Sequence, residues 1–424
     1  DDDKPYRVAL IGAGWYGKSD LFRLIQVAPV EVIALADPDK NMLTEAGKLV
    51  SEKQKSGKVP KLYNDYREML NKHQLDIVLI GSPDHWHALQ TIDALKAGAH
   101  VYVQKPTSVD VIEGEAMIAA ARKYNKVVQV GTQRKSTPHL IEAKKRFVNT
   151  GLLGKISHVD MCCYYHMRAN GSPAIRPVPD FFDYDMWTGP APLLPYTGLP
   201  HRRWWRTMME YSNGITGDMA VHMLDAVRWM LDLGWPKRIH ATGGIYVQQG
   251  GKSTIADTQT AIFEYEDLNC TWQHRTWGSP ADPEYPWAFV LYGDKGTLKG
   301  SPFQYDFIPV GEEEEPVHGE AIFEKEKYPE DLKEQDIELH AAPATRLHLI
   351  DFIKAIEKGG KPIADIEEGH ISSASCILAN LSMVLSRPLI YDPLSMTVID
   401  DPEATKLLSR TYRSPWIHPD PRNV

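Results

Sequence analysis

The chain has 424 residues, 43% of them hydrophobic and 24% charged, with a formal net charge of -9. Those values exclude a disordered chain, predict two or three domains with substantial cores, and argue against a general affinity for nucleic acid, which wants a basic face. The cysteines Cys162, Cys163, Cys270 and Cys376 make neither a disulfide framework nor a C-x-x-C knuckle, so they read as buried thiols and no metal is expected. The apolar runs are too short for a membrane span. Asp1 to Lys4 reads as the end of a cleaved tag or as the first residues left after removal of an export signal; the compartment is then cytoplasmic, or periplasmic where such a signal preceded residue 1.

From residue 6 to about residue 131, strand-like runs over 7–11, 31–36, 77–81, 100–103 and 127–131 alternate with amphipathic stretches such as 88–97 and 111–123. This alternation predicts a Rossmann-type α/β domain over 5–133, a doubly wound parallel sheet that binds ligands at the carboxyl ends of its strands. The first run ends in Gly12, Gly14 and Gly17 at the spacing G-x-G-x-x-G, enclosing Trp15 and Tyr16. There the glycines permit a tight turn, close approach of backbone N–H groups to a pyrophosphate, and close packing of the helix behind it. The second run ends at Asp37, where an acid for a ribose 2′-hydroxyl favours NAD over NADP.

Two further strand ends enter the same crevice. IVLIGSPDHWHA, residues 77–88, presents Ser82 and Pro83 on the cofactor side, with His85 and His87 as polar crevice contacts there, and HVYVQKPTS, residues 100–108, presents Gln104 and Lys105. Pro106 fixes the geometry after Lys105, whose ammonium is placed to hydrogen-bond a substrate oxygen and stabilise negative charge on it. Thr132, Gln133 and Arg134, at the end of the last strand of this domain, are further crevice candidates.

After residue 131 the rhythm changes. A helix over 138–149 leads into longer strands over 156–166, 238–247, 259–265, 270–276, 288–292 and 296–298. These predict a second, α+β domain over 134–424 with a large mixed or antiparallel open sheet. The Pro-, Gly- and aromatic-rich stretch 167–204 has little periodicity and reads as a functional lid. Within 212–231, a helix from about Gly217 places Asp218, His222, Asp225 and Trp229 along one face. His222 is then the general base for a hydroxyl proton, and Asp218 orients it or accepts a neighbouring hydroxyl. The acidic stretch 311–339 reads as a solvated surface insertion, with helices over 344–357 and 370–385 and an extended tail beyond it.

Taken together, ALIGAGWYG, SPDHWHA, VYVQKP, GDMAVHMLD and YGDKGTL (292–298) resemble motifs of the Gfo/Idh/MocA family of nicotinamide-dependent oxidoreductases, and the likeness covers most of the chain. It implies that Lys105 touches both cofactor and substrate, that Asp218 binds or orients, that His222 is the acid/base, and that the open sheet forms a homo-oligomer interface, dimeric or tetrameric. Gln104 departs from the family pattern, which commonly has Glu there. GTQRKSTPHL, DYDMWTGPAP, HRRWW and YRSPW bring the chain closer to an often exported branch with a long second domain, frequently encoded near carbohydrate-degrading genes. The resemblance implies a sugar, glycoside or polyol substrate, with Trp187, Trp204 and Trp205 as flat apolar surfaces for it and Arg202, Arg203 and Arg206 for its hydroxyls or a carboxylate.

The expected activity is NAD-dependent oxidation of a CH–OH group. The alternative is a redox-neutral lyase, epimerase or glycosidase that retains NAD and works through a transient keto-sugar. A non-catalytic NAD-binding sensor is the third reading, against which the intact Lys105, Asp218 and His222 argue.

Overall fold

The computed structural model describes residues 4–165, 168, 171–199, 201 and 203–424. Its first part runs β1 (Tyr6–Ile11), α1 (Trp15–Val27), β2 (Val30–Ala36), α2 (Lys40–Lys53), β3 (Lys61–Tyr63), α3 (Tyr66–Lys72), β4 (Ile77–Ile80), α4 (His87–Lys96), β5 (His100–Val103), α5 (Val111–Lys123) and β6 (Val128–Val130). The strands form one parallel sheet in the order β3-β2-β1-β4-β5-β6. Strand order reverses between β1 and β4, and a crevice opens at their carboxyl ends. β4 is buried along its whole length because helices cover both faces, which is why it reads as an unbroken apolar run. The sequence reading lacks β3: it is a largely exposed three-residue edge strand with no apolar periodicity to announce it.

The second part contains α6 (Pro138–Ala143), β7 (Ile156–Cys163), α7 (Tyr184–Thr188), α8 (Val221–Leu231), β8 (Arg238–Gly244), β9 (Thr258–Glu264), β10 (Asn269–Arg275), β11 (Trp287–Gly293), β12 (Gly296–Gly300), β13 (Gln304–Pro309) and β14 (Val317–Glu320). Its eight-stranded sheet has the order β14-β13-β12-β11-β7-β10-β9-β8, antiparallel except where β7 meets β10. Burial alternates along β9, with Gln259, Ala261 and Phe263 inward and Thr260 and Ile262 outward, so one face packs and the other stays open. The inner face sets Trp272, Phe289 and Leu291 against Val221, Leu224 and Val227 of α8. β7 ends at Cys163, short of the expected 166, and His166 lies outside the described residues. The helix expected over 138–149 continues past α6 as a wider π-type turn at Lys144–Val148.

The chain then returns to the first sheet. α9 (Ala342–Lys358) contributes Leu349, Phe352 and Ile353 to the core that holds Val8 and Leu10. At the start of α10 (Ile366–Leu385), Ala364 and Ile366 pack with Val101 and Val130 on the other side. The extended tail folds back too, with Trp416 edge-on to Trp86 at 4.9 Å between ring centroids.

Candidate active site

The crevice at the ends of β1, β2 and β4 opens into a cleft of about 440 Å³. Gly12 turns the chain at φ +88, and a Cβ there would lie 2.4 Å from the Ser82 nitrogen. A Cβ on Gly17 would lie 2.0 Å from the Gly12 carbonyl oxygen, so Gly17 packs beneath the turn and does not line the cleft. Gly14 differs: its φ is -77 and nothing lies within 4 Å of a Cβ built there. That open space faces the first turn of α1, which has no side-chain cap and no acidic residue, so its backbone N–H groups remain available to an anion. Asp37 accepts hydrogen bonds from the Ala13 and Asp39 N–H groups, both at 2.8 Å, and burial pushes its carboxyl up to about 6.

Trp15, Tyr16, Ser82 and Pro83 line this cleft, and the expected lid forms its far wall through Phe182, Met186 and Trp187. Phe182 stacks on His201 at 3.7 Å, and His201 donates from Nε2 to Asp39 at 2.9 Å, which ties the lid to the start of α2. A glycine cradle, free helix N–H groups and an acid at the end of β2 fit a dinucleotide.

A second cleft of about 320 Å³ continues from the first, sharing Trp15, Tyr16, Ser82, Arg203 and Arg206. Lys105, Asp218 and His222 meet on its wall. The Lys105 ammonium donates to Asp218 Oδ1 at 2.6 Å and to the Asp218 carbonyl at 2.7 Å, and the Lys105–Pro106 bond is cis. Burial alone would raise Asp218, but Lys105, Arg206 and Arg203 hold it below the usual carboxylate value. His222 lies one helical turn on, buried edge-on against Trp287 at 5.7 Å. Burial first, then Lys105 and Arg134, push its imidazole well below 6.5, which favours the neutral ring.

The polar stripe expected along 218–229 is cut after His222. Asp225 turns into the core, 3.2 Å from Lys135 and accepting from Ser372 at 2.8 Å, and Trp229 lies under Lys144 at 5.0 Å. These internal partners, brought in from distant segments, consume both side chains.

The other expected residues fall in several places. His87 lines the second cleft with its ring nitrogens 2.6 Å from the Pro106 carbonyl and 2.8 Å from that of Ser82, which fastens two strand-end loops together. Gln104 also lines it and donates to buried Asp20 at 2.7 Å. Arg134 and Arg203 line it as well, Arg203 lying over Trp15 at 5.2 Å. Trp187 lines the dinucleotide cleft rather than the second one, and Trp205 lines both. His85 lines neither, since its Nε2 sits 2.9 Å from the Trp187 carbonyl beneath the lid. Gln133 is buried behind Tyr16, donating to its hydroxyl at 3.2 Å, and Trp204 is 45% exposed outside both clefts. Arg202 lies outside the described residues.

The structure also brings in residues the sequence reading passed over. Asp84, inside the SPDHWHA segment, is buried in the second cleft, and burial with the nearby Asp218 charge holds its carboxyl far above the carboxylate range. The acidic stretch is not a solvated insertion throughout. Glu312 to Glu315 are exposed, but β14 begins within the stretch and Asp331 is buried against Arg346 at 2.7 Å. Asp336 and Ile337 then line the dinucleotide cleft, and Glu338 and His340 the second. Trp15 donates to the Asp336 carbonyl at 2.6 Å, and Phe303 stacks on His340 at 4.3 Å. The one signal in the sequence is the change from consecutive glutamates to the mixed IELH of 337–340. Among the described residues no three His, Cys, Asp or Glu side chains converge on a metal position, and no helix is long and apolar enough to cross a membrane.

Known proteins share this architecture. Residues 6–132 match the family model "Oxidoreductase family, NAD-binding Rossmann fold", 141–299 the "GFO/IDH/MocA C-terminal domain", and 319–418 the "Oxidoreductase family, C-terminal alpha/beta domain". An alpha-N-acetylgalactosaminidase of Shewanella oneidensis is 31% identical over 170 residues, 38% of this chain and 36% of that protein. An inositol 2-dehydrogenase of Salmonella typhimurium is 28% identical over 151 residues, 35% of this chain and 43% of that protein. The chain thus spans less than half the length of these curated relatives. An oxidoreductase from Agrobacterium radiobacter, solved in complex with NAD+, L-tartaric acid and magnesium, superposes with a TM-score of 0.68 at 15% identity, covering 91% of this chain and 98% of that one.

Proposed function

The chain belongs to the Gfo/Idh/MocA oxidoreductase family, and from that premise we propose that it is an NAD-dependent dehydrogenase acting on a hydroxyl-bearing carbon of a sugar, glycoside or polyol. The observation that carries this reading is the meeting of Lys105, Asp218 and neutral His222 on one wall of a cleft that runs into the glycine cradle. Gly12 and Gly14, the N–H groups of the first turn of α1, and Asp37 would hold the dinucleotide. Bound NAD supplies a hydride acceptor. His222 takes the hydroxyl proton; its buried ring carries little charge of its own before the transfer. Lys105 donates a hydrogen bond to the same oxygen and offsets the negative charge that grows on it. Asp218 holds Lys105 in place and offers its carboxylate to a neighbouring hydroxyl.

The test is direct. Purified protein with NAD and a panel of sugars, glycosides and inositols is expected to yield NADH absorbance, and a Lys105→Ala or His222→Ala variant with full activity would overturn the assigned roles. The open face of the eight-stranded sheet, with Ile262, Tyr292 and Ile308 exposed, supports a homo-oligomer, which sedimentation of the purified chain tests.

Asp84 favours a second reading. A carboxyl buried in the same cleft as Asp218, whose acid form burial and the Asp218 charge favour, is a further proton donor that simple hydride transfer does not need. It suits a redox-neutral lyase, epimerase or glycosidase, in keeping with the galactosaminidase relative. Substrate turnover on retained cofactor without net NADH would establish that reading over the first.

A further inference from the structure

Among the described residues, the buried arginines other than Arg134 all face oxygen acceptors. Arg23 meets Glu334, Arg346 meets Asp331 at 2.7 Å, Arg228 meets Glu368 at 2.7 Å, and Arg168 donates to backbone carbonyls. Arg134 is 3% exposed, its Nε has no hydrogen-bond partner, and no described carboxylate lies within ion-pair distance of its guanidinium. It covers the indole of Trp287 at 5.1 Å. Glu338, across the same cleft, reaches His340 instead, at 3.5 Å.

A guanidinium does not shed its charge, and burying it unpaired is unfavourable, which structures relieve with an anion. Arg134 lines the second cleft and not the dinucleotide cleft, so the cofactor phosphates lie on the wrong side to supply that anion. The indole it covers is also the one packed against His222, which places the unpaired fork beside the proposed base. We infer that Arg134 is a carboxylate-binding subsite and that the substrate is an acidic sugar, a uronic or aldonic acid or a glycoside of one. A planar fork matches a carboxylate bidentately. The site favours a monoanion over a phosphate dianion, because Asp218 and Glu338 share the cleft and would repel the second charge. The inference rests on the dehydrogenase reading only in taking the second cleft as the substrate site.

Calorimetric titration of the NADH-loaded protein with D-glucuronate against D-glucose, D-galacturonate against D-galactose, and D-gluconate against D-glucitol tests binding apart from turnover. At least one acid is expected to bind roughly 30-fold or more tightly than its neutral partner. Arg134→Gln is expected to remove most of that ratio, and Arg134→Lys, which keeps the charge and loses the fork, to leave an intermediate one. Equal binding of acid and neutral partner in every pair overturns the inference, as does a ratio that survives in Arg134→Gln. Tight acid binding with no NAD-linked turnover would instead retain the subsite and remove the dehydrogenase reading. Turnover of neutral sugars with no advantage for the acids would do the reverse.

Discussion

Lys105 and Asp218 hold one another at 2.6 Å, and the same ammonium also takes up the Asp218 backbone carbonyl at 2.7 Å. The pair joins the end of β5 to the turn before α8, so the two parts of the chain meet at the candidate chemical centre. The Lys105 charge also bears on His222 and disfavours its imidazolium. Lys105→Met is therefore expected to do two separable things. It should lower kcat/KM roughly 100- to 1,000-fold, as loss of a hydrogen-bond donor to a developing oxyanion does. It should also move the acid limb of the pH–rate profile upward, because an imidazole freed from a neighbouring cation keeps its proton to higher pH. A limb that stays put would mean that the titrating base is not His222.

The glycine turn makes two opposite expectations. At Gly12 a methyl group meets backbone at 2.4 Å under a positive φ, so Gly12→Ala should cost about 2–3 kcal/mol of stability before any ligand is added. At Gly14 the added methyl meets nothing and φ is already ordinary, so Gly14→Ala should melt like the parent. Its methyl would instead occupy the space for the pyrophosphate, and NAD affinity should fall at least about tenfold. Thermal melts with and without NAD separate the two.

This contrast shows where the sequence was legible. The glycine spacing, Lys105 and the Asp218/His222 pair depend on short-range order, one strand end or one helical turn, and the fold keeps each within its own element. Asp225 and His85 share those local patterns, yet partners from elsewhere, Lys135 in one case and the Trp187 carbonyl in the other, turned them away from the clefts. Asp336 to His340 were hidden for the opposite reason. Nothing local marks them, and long-range contacts carry them to the site: those of Arg346 and Arg23 with the acidic insertion, and those of Trp15 and Phe303 with the segment itself.

Gln104, the departure from the family pattern, has a physical partner in Asp20. Burial pushes the Asp20 carboxyl up to about 7, against which the Gln104 amide hydrogen bond works. The folded chain then binds this proton more tightly than the unfolded one, so the Asp20 contribution to stability is greatest in acid and is lost as pH rises through about 7. A Gln104→Glu variant would set a second carboxylate against the first. It is expected to lose about 3 kcal/mol at pH 8, to recover toward pH 5, and to be rescued by adding Asp20→Asn. Denaturant melts across pH check all three, and a pH-independent loss would show that the amide matters for shape and not for charge.

Arg346 anchors the acidic insertion. Its guanidinium holds Asp331 at 2.7 Å, Glu324 at 3.0 Å and the Gln26 side chain of α1 at 3.1 Å, and it is nearly fully buried. Replacing it with Met keeps the volume and leaves Asp331 with the Gln26 amide at 2.7 Å and, as its nearest cation, Arg23 at 3.7 Å, which Glu334 already engages. Removing the close cation from a buried carboxylate costs up to about 3–5 kcal/mol. The chain can avoid that cost by releasing the segment around 324–340, which has little apolar burial of its own. Arg346→Met is thus expected to expose Lys325, Lys327 and Lys333 to trypsin while the rest of the chain stays resistant. Because the released segment carries Asp336 and Ile337 away from the dinucleotide cleft and Glu338 and His340 away from the other, KM should rise for cofactor and substrate together. Cleavage throughout the chain, or KM values that do not move, would show that the insertion is not a separately released wall of the site.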